Sequence, residues 1–390
     1  MLPRRPRLAY DDGPCGRVGC GLAARVDGGE ATVGRRAIGA WAAIGAFALA
    51  GCGELPSDVP PAGGPAEAGA PAARRPASDA VKFVGFDASP PLVAALRAGQ
   101  IQGLVLQDPV RMGDVGVRTM VAHLQKEPHE AHVSTGELLA TPENMDEEAV
   151  AARLNPPKAD NASDAALPGE KAKAWRIMVI PKGATHVHWQ SVHHGARKAA
   201  AELGNVELLW LAPTKEDDRL EQIALVQRAV AAKVDGIVIA PLDAQALVAP
   251  IEDAIAAGIP VVIIDSALAS EKPAAYVATD NYHGGVLAAE RLAELLGGEG
   301  RIILLRYAPN SEATEQRERG FTDTIKKFPK ITYVSDDQYA GATAESAQRI
   351  AQQLVTRFQG QFDGIFTPNE SSTVGMLRAL EDAGMLATAR

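Results

Sequence analysis

"KFVGFDASP" (82–90) reads as a strand that runs into Asp87 and then into the start of a helix. It opens the first patterned segment of the chain, directly after a Pro/Ala/Gly tract. Near the other end, "VGMLRALEDAGMLATAR" (374–390) reads as a helix with no strand after it. One patterned segment thus opens on a strand without a preceding helix, and the other stops on a helix without a following strand.

Working outward from 82–90, the same grammar recurs. The early segment gives strand "VKFVGF" (81–86), helix "PPLVAALRAG" (90–99), strand "IQGLVLQ" (101–107) and helix "PVRMGDVGVRTMVAHLQ" (109–125), then an extended tail, "VSTGELLATPENM" (133–145). From Arg176 onward, the apolar runs "RIMVI", "VELLWL", "GIVIAP", "PVVIID", "RIILLR", "ITYVS" and "DGIFTP" alternate with helical stretches such as "LEQIALVQRAVAAK" and "ESAQRIAQQLVTRF". Near-continuous apolar strands separated by helices indicate an α/β fold with parallel sheets covered on both faces.

The chain has 390 residues and a formal net charge of −9. That balance disfavours a protein that neutralises nucleic-acid phosphates with Lys and Arg. Its three cysteines, Cys15, Cys20 and Cys52, all precede residue 53, so the patterned region offers neither a disulfide framework nor a thiolate metal site. Arg35 and Arg36 precede the apolar run "AIGAWAAIGAFALA", which ends in "LAGC" (49–52). Basic residues, a short apolar stretch and small residues before a cut describe an export signal, and the run is too short for a confident membrane span. "LAGC" resembles a bacterial lipobox, which implies cleavage before Cys52 and lipidation of its thiol. Residues 1–52 are therefore expected to be a signal segment and 53–80 a solvated tether. Segment 156–174 is expected to be a linker between the patterned regions 81–155 and 175–390.

In open parallel sheets, ligands sit beyond the carboxyl ends of the strands. The residues at those ends are Asp87, Gln107, Lys182, Asp265 and Asn369. Carboxylates accept hydroxyl protons, and the amides both donate and accept, so the set suits a polyhydroxylated ligand. Each could instead serve only as a helix N-cap.

The stretches "PVVIIDSAL", "VATDNYHGG", "SEATEQRERGF", "IFTPNESSTVGMLRALEDAG", "KFVGFDASPPLVAALRAGQIQGLVLQDPVRMG" and "TPENM" together resemble the periplasmic sugar-binding proteins of ABC importers, of the ribose/galactose type. In that family, the helix corresponding to "GMLRALEDAG" runs directly into the strand corresponding to "VKFVGFD". The two patterned regions are complementary, so the chain resembles a circular permutant whose ancestral termini are joined by 156–174. The resemblance implies two doubly wound parallel-sheet lobes joined by three hinge crossings, the type I periplasmic binding protein fold. Lobe one would comprise about 176–278 plus 108–132. Lobe two would comprise about 279–390 plus 81–107, with the tail after 133 returning to it.

The resemblance also places sugar contacts on Lys182, His186, His188, Trp189, Asp265 and Ser266 of lobe one. Arg317, Tyr339, Asn369 and Asp87 would come from lobe two, with Gln107 at the last hinge. Trp189 and Tyr339 would face the C–H surface of a sugar ring. Arg317 would donate a rigid fork to two neighbouring oxygens. The ribose type carries serine, asparagine and phenylalanine where this chain has Lys182, His186 and His188, and arginine where it has Ser266. A neutral monosaccharide is the expected ligand class, with an acidic or phosphorylated sugar as the alternative. Trp189 could instead belong to the core, and His193 and His194 are expected on a helix surface. No cofactor or metal is expected.

Three functions compete. The first is a lipid-anchored, monomeric solute-binding protein of the cell envelope that delivers a sugar to an ABC permease or a membrane sensor. The second is the effector domain of a lac-type regulator, disfavoured because the flexible 156–174 segment stands where a DNA-binding head would be. The third is an enzyme, for which no P-loop, nucleophile elbow or His-Glu-x-x-His motif is present. A rearranged gene whose product folds incompletely is the remaining alternative.

Overall fold

The computed structural model describes residues 80–159 and 174–386, all within the unit Ala68–Arg390. The signal segment, Cys52, nearly all of the tether and most of the linker lie outside the described residues. In chain order, the elements are β1 (Lys82–Phe86), α1 (Pro90–Arg97), β2 (Gly103–Leu106), α2 (Pro109–Gln125), β3 (His132–Ser134), β4 (Leu138–Ala140) and α3 (Glu148–Leu154). After the linker come β5 (Trp175–Ile180), α4 (Val187–Leu203), β6 (Val206–Trp210), α5 (Arg219–Ala231), β7 (Gly236–Ile239), α6 (Val248–Ala256), β8 (Val261–Ile264) and β9 (Ala275–Ala278). The last are α7 (Asn281–Leu295), β10 (Glu299–Arg306), α8 (Glu312–Ile325), β11 (Lys330–Tyr339), α9 (Ala344–Arg357), β12 (Gly364–Phe366) and α10 (Glu370–Asp382).

These strands form two six-stranded sheets. One runs β3-β9-β8-β7-β5-β6, here lobe one, and the other β11-β10-β12-β1-β2-β4, here lobe two. Among the described strand pairs only β2–β4 is antiparallel. The strand that opens the chain's pattern is interior, not an edge. Lys82, Phe83 and Val84 stand in parallel register with Gly364, Ile365 and Phe366, and β2 pairs on the other side. Phe83 packs into the apolar layer on one face of this sheet, while Val84 and Phe86 pack into the layer on the other. All three are fully buried, which is why the run is apolar at consecutive positions rather than alternating.

The chain passes between the sheets after β2, between β3 and β4, and after β9. The stretch 133–145 is more than an extended tail. Val133 and Ser134 belong to lobe one through β9, Leu138–Ala140 return to lobe two, and a short helix, α3, follows.

In each lobe, two helices touch backbone to backbone through glycine. A Cβ on Gly195 of α4 would lie 1.9 Å from the carbonyl oxygen of Val110 on α2. A Cβ on Gly285 of α7 would lie 1.9 Å from that of Arg317 on α8. Only a residue without a side chain permits this approach. It sets the position of Arg317 and of the N-terminal half of α4, both of which face the space between the lobes.

Candidate functional site

The carboxyl ends of both sheets face one cavity of about 370 Å³. Two of its walls begin with a backbone constraint. Asp87, after β1, has φ +68°, and Asp265, after β8, has φ +62°. L-residues rarely occupy this left-handed region, and Asp tolerates it better than most, so two such positions at the lip of one cavity indicate a shape held by its surroundings.

On lobe one, Lys182 Nζ donates to Asp265 Oδ2 at 2.8 Å and to Ser266 Oγ at 2.7 Å, and lies 3.5 Å from Ser311 Oγ of the other lobe. Burial, the largest single influence, pushes the Asp265 carboxyl up, but Lys182, His188 and Arg317 together hold it below its ordinary value. His188 Nε2 lies 3.6 Å from Asp265 Oδ1, buried and without a hydrogen-bond partner among the described residues. Burial lowers the His188 pKa, so this imidazole is neutral at neutral pH. Its bare nitrogen beside a carboxylate is suited to a ligand hydroxyl that touches both.

Beside it, His186 Nδ1 is 2.6 Å from Glu216 Oε1, which also accepts from Trp189 Nε1. Burial opposes charge on His186, but the carboxylates of Glu216, Glu370 and Asp87, with Glu216 foremost, together push its pKa up to about 9. Burial likewise raises Glu216, and His186 overrides it downward.

On lobe two, Arg317 donates through Nε to Asn281 Oδ1 at 2.9 Å and through Nη1 to the Pro368 carbonyl at 3.0 Å. Its guanidinium carbon lies 4.0 Å over the Phe86 ring, a cation–π contact. Asp87 accepts from Gln107 Nε2 at 2.6 Å, and Gln107 in turn accepts from Thr279 Oγ1 at 3.0 Å, linking two of the crossings between lobes. Glu370 faces the N-terminus of α4 on the other lobe, with its carboxylate 3.5 Å from the Val187 amide and 3.4 Å from that of His188. Burial, aided by Asp87 and Glu216 and opposed by His186, pushes the Glu370 pKa up to about 7.

Of the residues expected at the site, Asp87, Gln107, Lys182, His186, His188, Trp189, Asp265, Arg317 and Asn369 line this cavity. Ser266 stands behind the wall, 1% exposed, where its Oγ accepts from Lys182 and from the Ala313 amide of α8. Tyr339 is not among the residues that line this cavity: it ends the edge strand β11 and is 45% exposed. Asn369 is also an N-cap, its Oδ1 accepting from the Ser372 amide in a capping box at the start of α10. Trp189 serves both core and cavity, being 3% exposed and packed among Val192, Ala196 and Trp210. His193 is not on a helix surface. It is buried and stacked on Trp210 with ring centroids 4.2 Å apart.

Glu216, Tyr307, Ser311, Thr314 and Glu370 line the cavity without having been anticipated. Glu370 directly follows Asn369 at the end of a parallel strand, so its position could have been read. Glu216 lies in a connection after the edge strand β6, where no periodicity marks it. Among the described residues, no group of three or more His, Cys, Asp or Glu side chains is arranged to hold a metal ion. No described helix is long and apolar enough to cross a membrane.

Residues 177–389 match the family model described as the periplasmic binding protein domain. A xylitol-binding protein of Mycolicibacterium smegmatis is 27% identical over 184 residues, covering 47% of this chain and 52% of that protein. The chain spans 52%, 66% and 61% of the length of three curated relatives. Among solved structures, the periplasmic component of an ABC-type sugar transport system from Hahella chejuensis is 36% identical with a TM-score of 0.51, covering 54% of this chain and 76% of that one. A carbohydrate transporter solute-binding protein from Agrobacterium radiobacter, in complex with D-arabinose, is 32% identical with a TM-score of 0.53, covering 55% and 74%. With two parallel-sheet lobes, a cavity at their strand ends and a family match over more than half its length, this chain belongs to the periplasmic binding protein domain family.

Proposed function

We propose that this protein is an exported solute-binding protein, anchored by lipid at Cys52, that closes two lobes on a monosaccharide and presents it to an ABC permease or a membrane sensor. The observation that carries the proposal is the composition of the cavity: carboxylates, amides, imidazoles and a guanidinium from both lobes converge on it, with Trp189 as an apolar face. A ligand that touches both lobes stabilises the closed arrangement over any open one, so capture and closure become the same event.

Charge favours a neutral sugar over an acidic or phosphorylated one. Asp87, Glu216, Asp265 and Glu370 meet Lys182, His186 and Arg317 in the same lining, so the acids already match or exceed the cations. An added anion would be buried without a counter-charge, which is costly.

The order of elements supports a circular permutation of the family pattern, with 156–174 joining the ancestral termini. The family match begins at residue 177, yet β1, β2 and β4, which precede it, complete lobe two and bring Asp87 and Gln107 to the cavity. The chain is proposed to act as a monomer.

Isothermal titration of the folded protein against a panel of neutral pentoses and hexoses tests the proposal. Saturable binding of at least one sugar at one site per chain is expected. Absence of heat and of thermal shift with every sugar would overturn it.

A further inference from the structure

Glu216 makes more polar contacts in the cavity wall than any simple capping or surface role requires. Its Oε1 takes the Trp189 indole N–H and faces His186 Nδ1 at 2.6 Å. Its Oε2 takes the hydroxyl of Tyr307, a residue of lobe two, at 3.0 Å. All four side chains line the cavity, and Glu216 is 7% exposed. The turn after β5 approaches it so closely that a Cβ on Gly183 would lie 2.7 Å from Glu216 Cγ. One carboxylate thus fixes two ligand-facing rings on its own lobe and reaches the opposite lobe through a single hydroxyl.

We infer that Glu216 is the positioning residue of the cleft: it orients Trp189 and His186 toward the ligand and, through Tyr307, ties that orientation to closure of the lobes. The inference rests on the sugar-capture reading above and adds a residue and a role to it. An indole whose N–H is held turns less freely about its side-chain torsions, so its face is presented to the ligand at a lower entropy cost. The Tyr307 hydroxyl reaches Glu216 across the boundary between the lobes, so parting the lobes would break this bond. A carboxylate already satisfied by two lobe-one donors keeps an open acceptor position for it. The charged groups acting on His186 come from three elements: Glu216 from the connection after β6, Glu370 from α10 and Asp87 from the end of β1.

Two variants separate this role from general support of the fold. Tyr307→Phe removes one hydroxyl and leaves Glu216 with Trp189 and His186. With whichever sugar the titration panel identifies, stopped-flow dissociation is expected to accelerate about tenfold, the size of one buried charge-assisted hydrogen bond. The association rate should change far less. Glu216→Gln keeps the shape and removes the charge. Histidine-labelled protein followed by NMR should show the His186 titration, identified by its loss in His186→Gln, move from about 9 in wild type toward the ordinary imidazole value of 6.5. A purely structural role would lower the thermal midpoint and leave the dissociation rate of Tyr307→Phe in place.

Wild-type dissociation from Tyr307→Phe, or a His186 titration unmoved by Glu216→Gln, would overturn the inference. The NMR arm needs no ligand, so a protein that binds no sugar but shows the expected shift in His186 contradicts the sugar reading and spares the placement of Glu216. If Glu216→Gln does not fold, the Tyr307→Phe rate decides.

Discussion

The Glu370 amide donates to Asp87 Oδ2 at 3.0 Å across 283 positions of sequence. One residue before Asp87, the Phe86 amide donates to Thr373 Oγ1 at 3.2 Å, again from the first turn of α10. The end of the earliest strand is therefore bonded to the start of the last helix. At that seam Asp87, Asn369 and Glu370 all reach the cavity. The site is assembled from both described segments of the chain, and neither segment holds it alone.

The Lys182–Asp265 pair is buried on both sides, each side chain 6% exposed. Replacing Asp265 by Asn keeps a residue that tolerates the left-handed backbone and leaves the ammonium without its counter-charge. The expected loss is about 3–5 kcal/mol of stability. Adding Lys182→Met should recover much of it, and urea unfolding of the single and double variants measures both.

Gly285→Ala places a methyl group against the Arg317 carbonyl oxygen, at an ideal separation of 1.9 Å. The helices α7 and α8 must then part, which costs about 1–3 kcal/mol or more and displaces Arg317 with them. Both the thermal midpoint and sugar affinity should fall, whereas a change in stability alone would show that Arg317 is not set by this contact.

Glu370 gives stability a pH signature. Its pKa is raised from an ordinary value of 4.5 to about 7, chiefly by burial. The stabilising contribution of the protonated form is complete below about 4.5 and is lost as pH rises through about 7. Glu370→Gln fixes the neutral state, so it should raise the thermal midpoint over wild type above pH 7, and the gain should vanish toward pH 4.5. Its full size is on the order of 3 kcal/mol. A difference between variant and wild type that does not change with pH would contradict the assignment.

If the order of elements is a permutation, restoring the family order should cost little. Met385 and Leu386 pack against the same core cluster as Val81, so the two ends to be joined belong to one lobe. A chain that begins at 174, continues through 386 and passes directly into 80–155 should give the same circular dichroism spectrum and bind the same sugar within about threefold. Loop entropy changes only slowly with connection length, which is why the difference should be small. Loss of binding in a folded rearranged chain would mean that the present order contributes something the topology does not require.

Much of the architecture was legible because buried parallel strands leave an unmistakable trace. "KFVGF" (82–86) and "VVII" (261–264) are near-continuous apolar runs, and the aspartates that follow them, Asp87 and Asp265, line the cavity. Elements that are short or depend on partners left less trace. β9 has four residues and α3 seven, too few for periodicity to declare itself. Tyr339, expected at the site by resemblance, ends an edge strand outside the cavity lining. Glu216 was invisible for another reason. Its importance comes from Trp189, His186 and Tyr307 arriving around it, and nothing in "APTKEDDR" (212–219) distinguishes it from the solvated acids beside it.

Hydrogen exchange with and without the sugar identified by titration tests the central claim most directly. Amides in 82–87, 182–189 and 364–370 should gain protection together, at the same sugar concentration, because one ligand is held by all three segments. Protection confined to 174–386, with 82–107 exchanging as in the free protein, would show that the early strands take no part in the site.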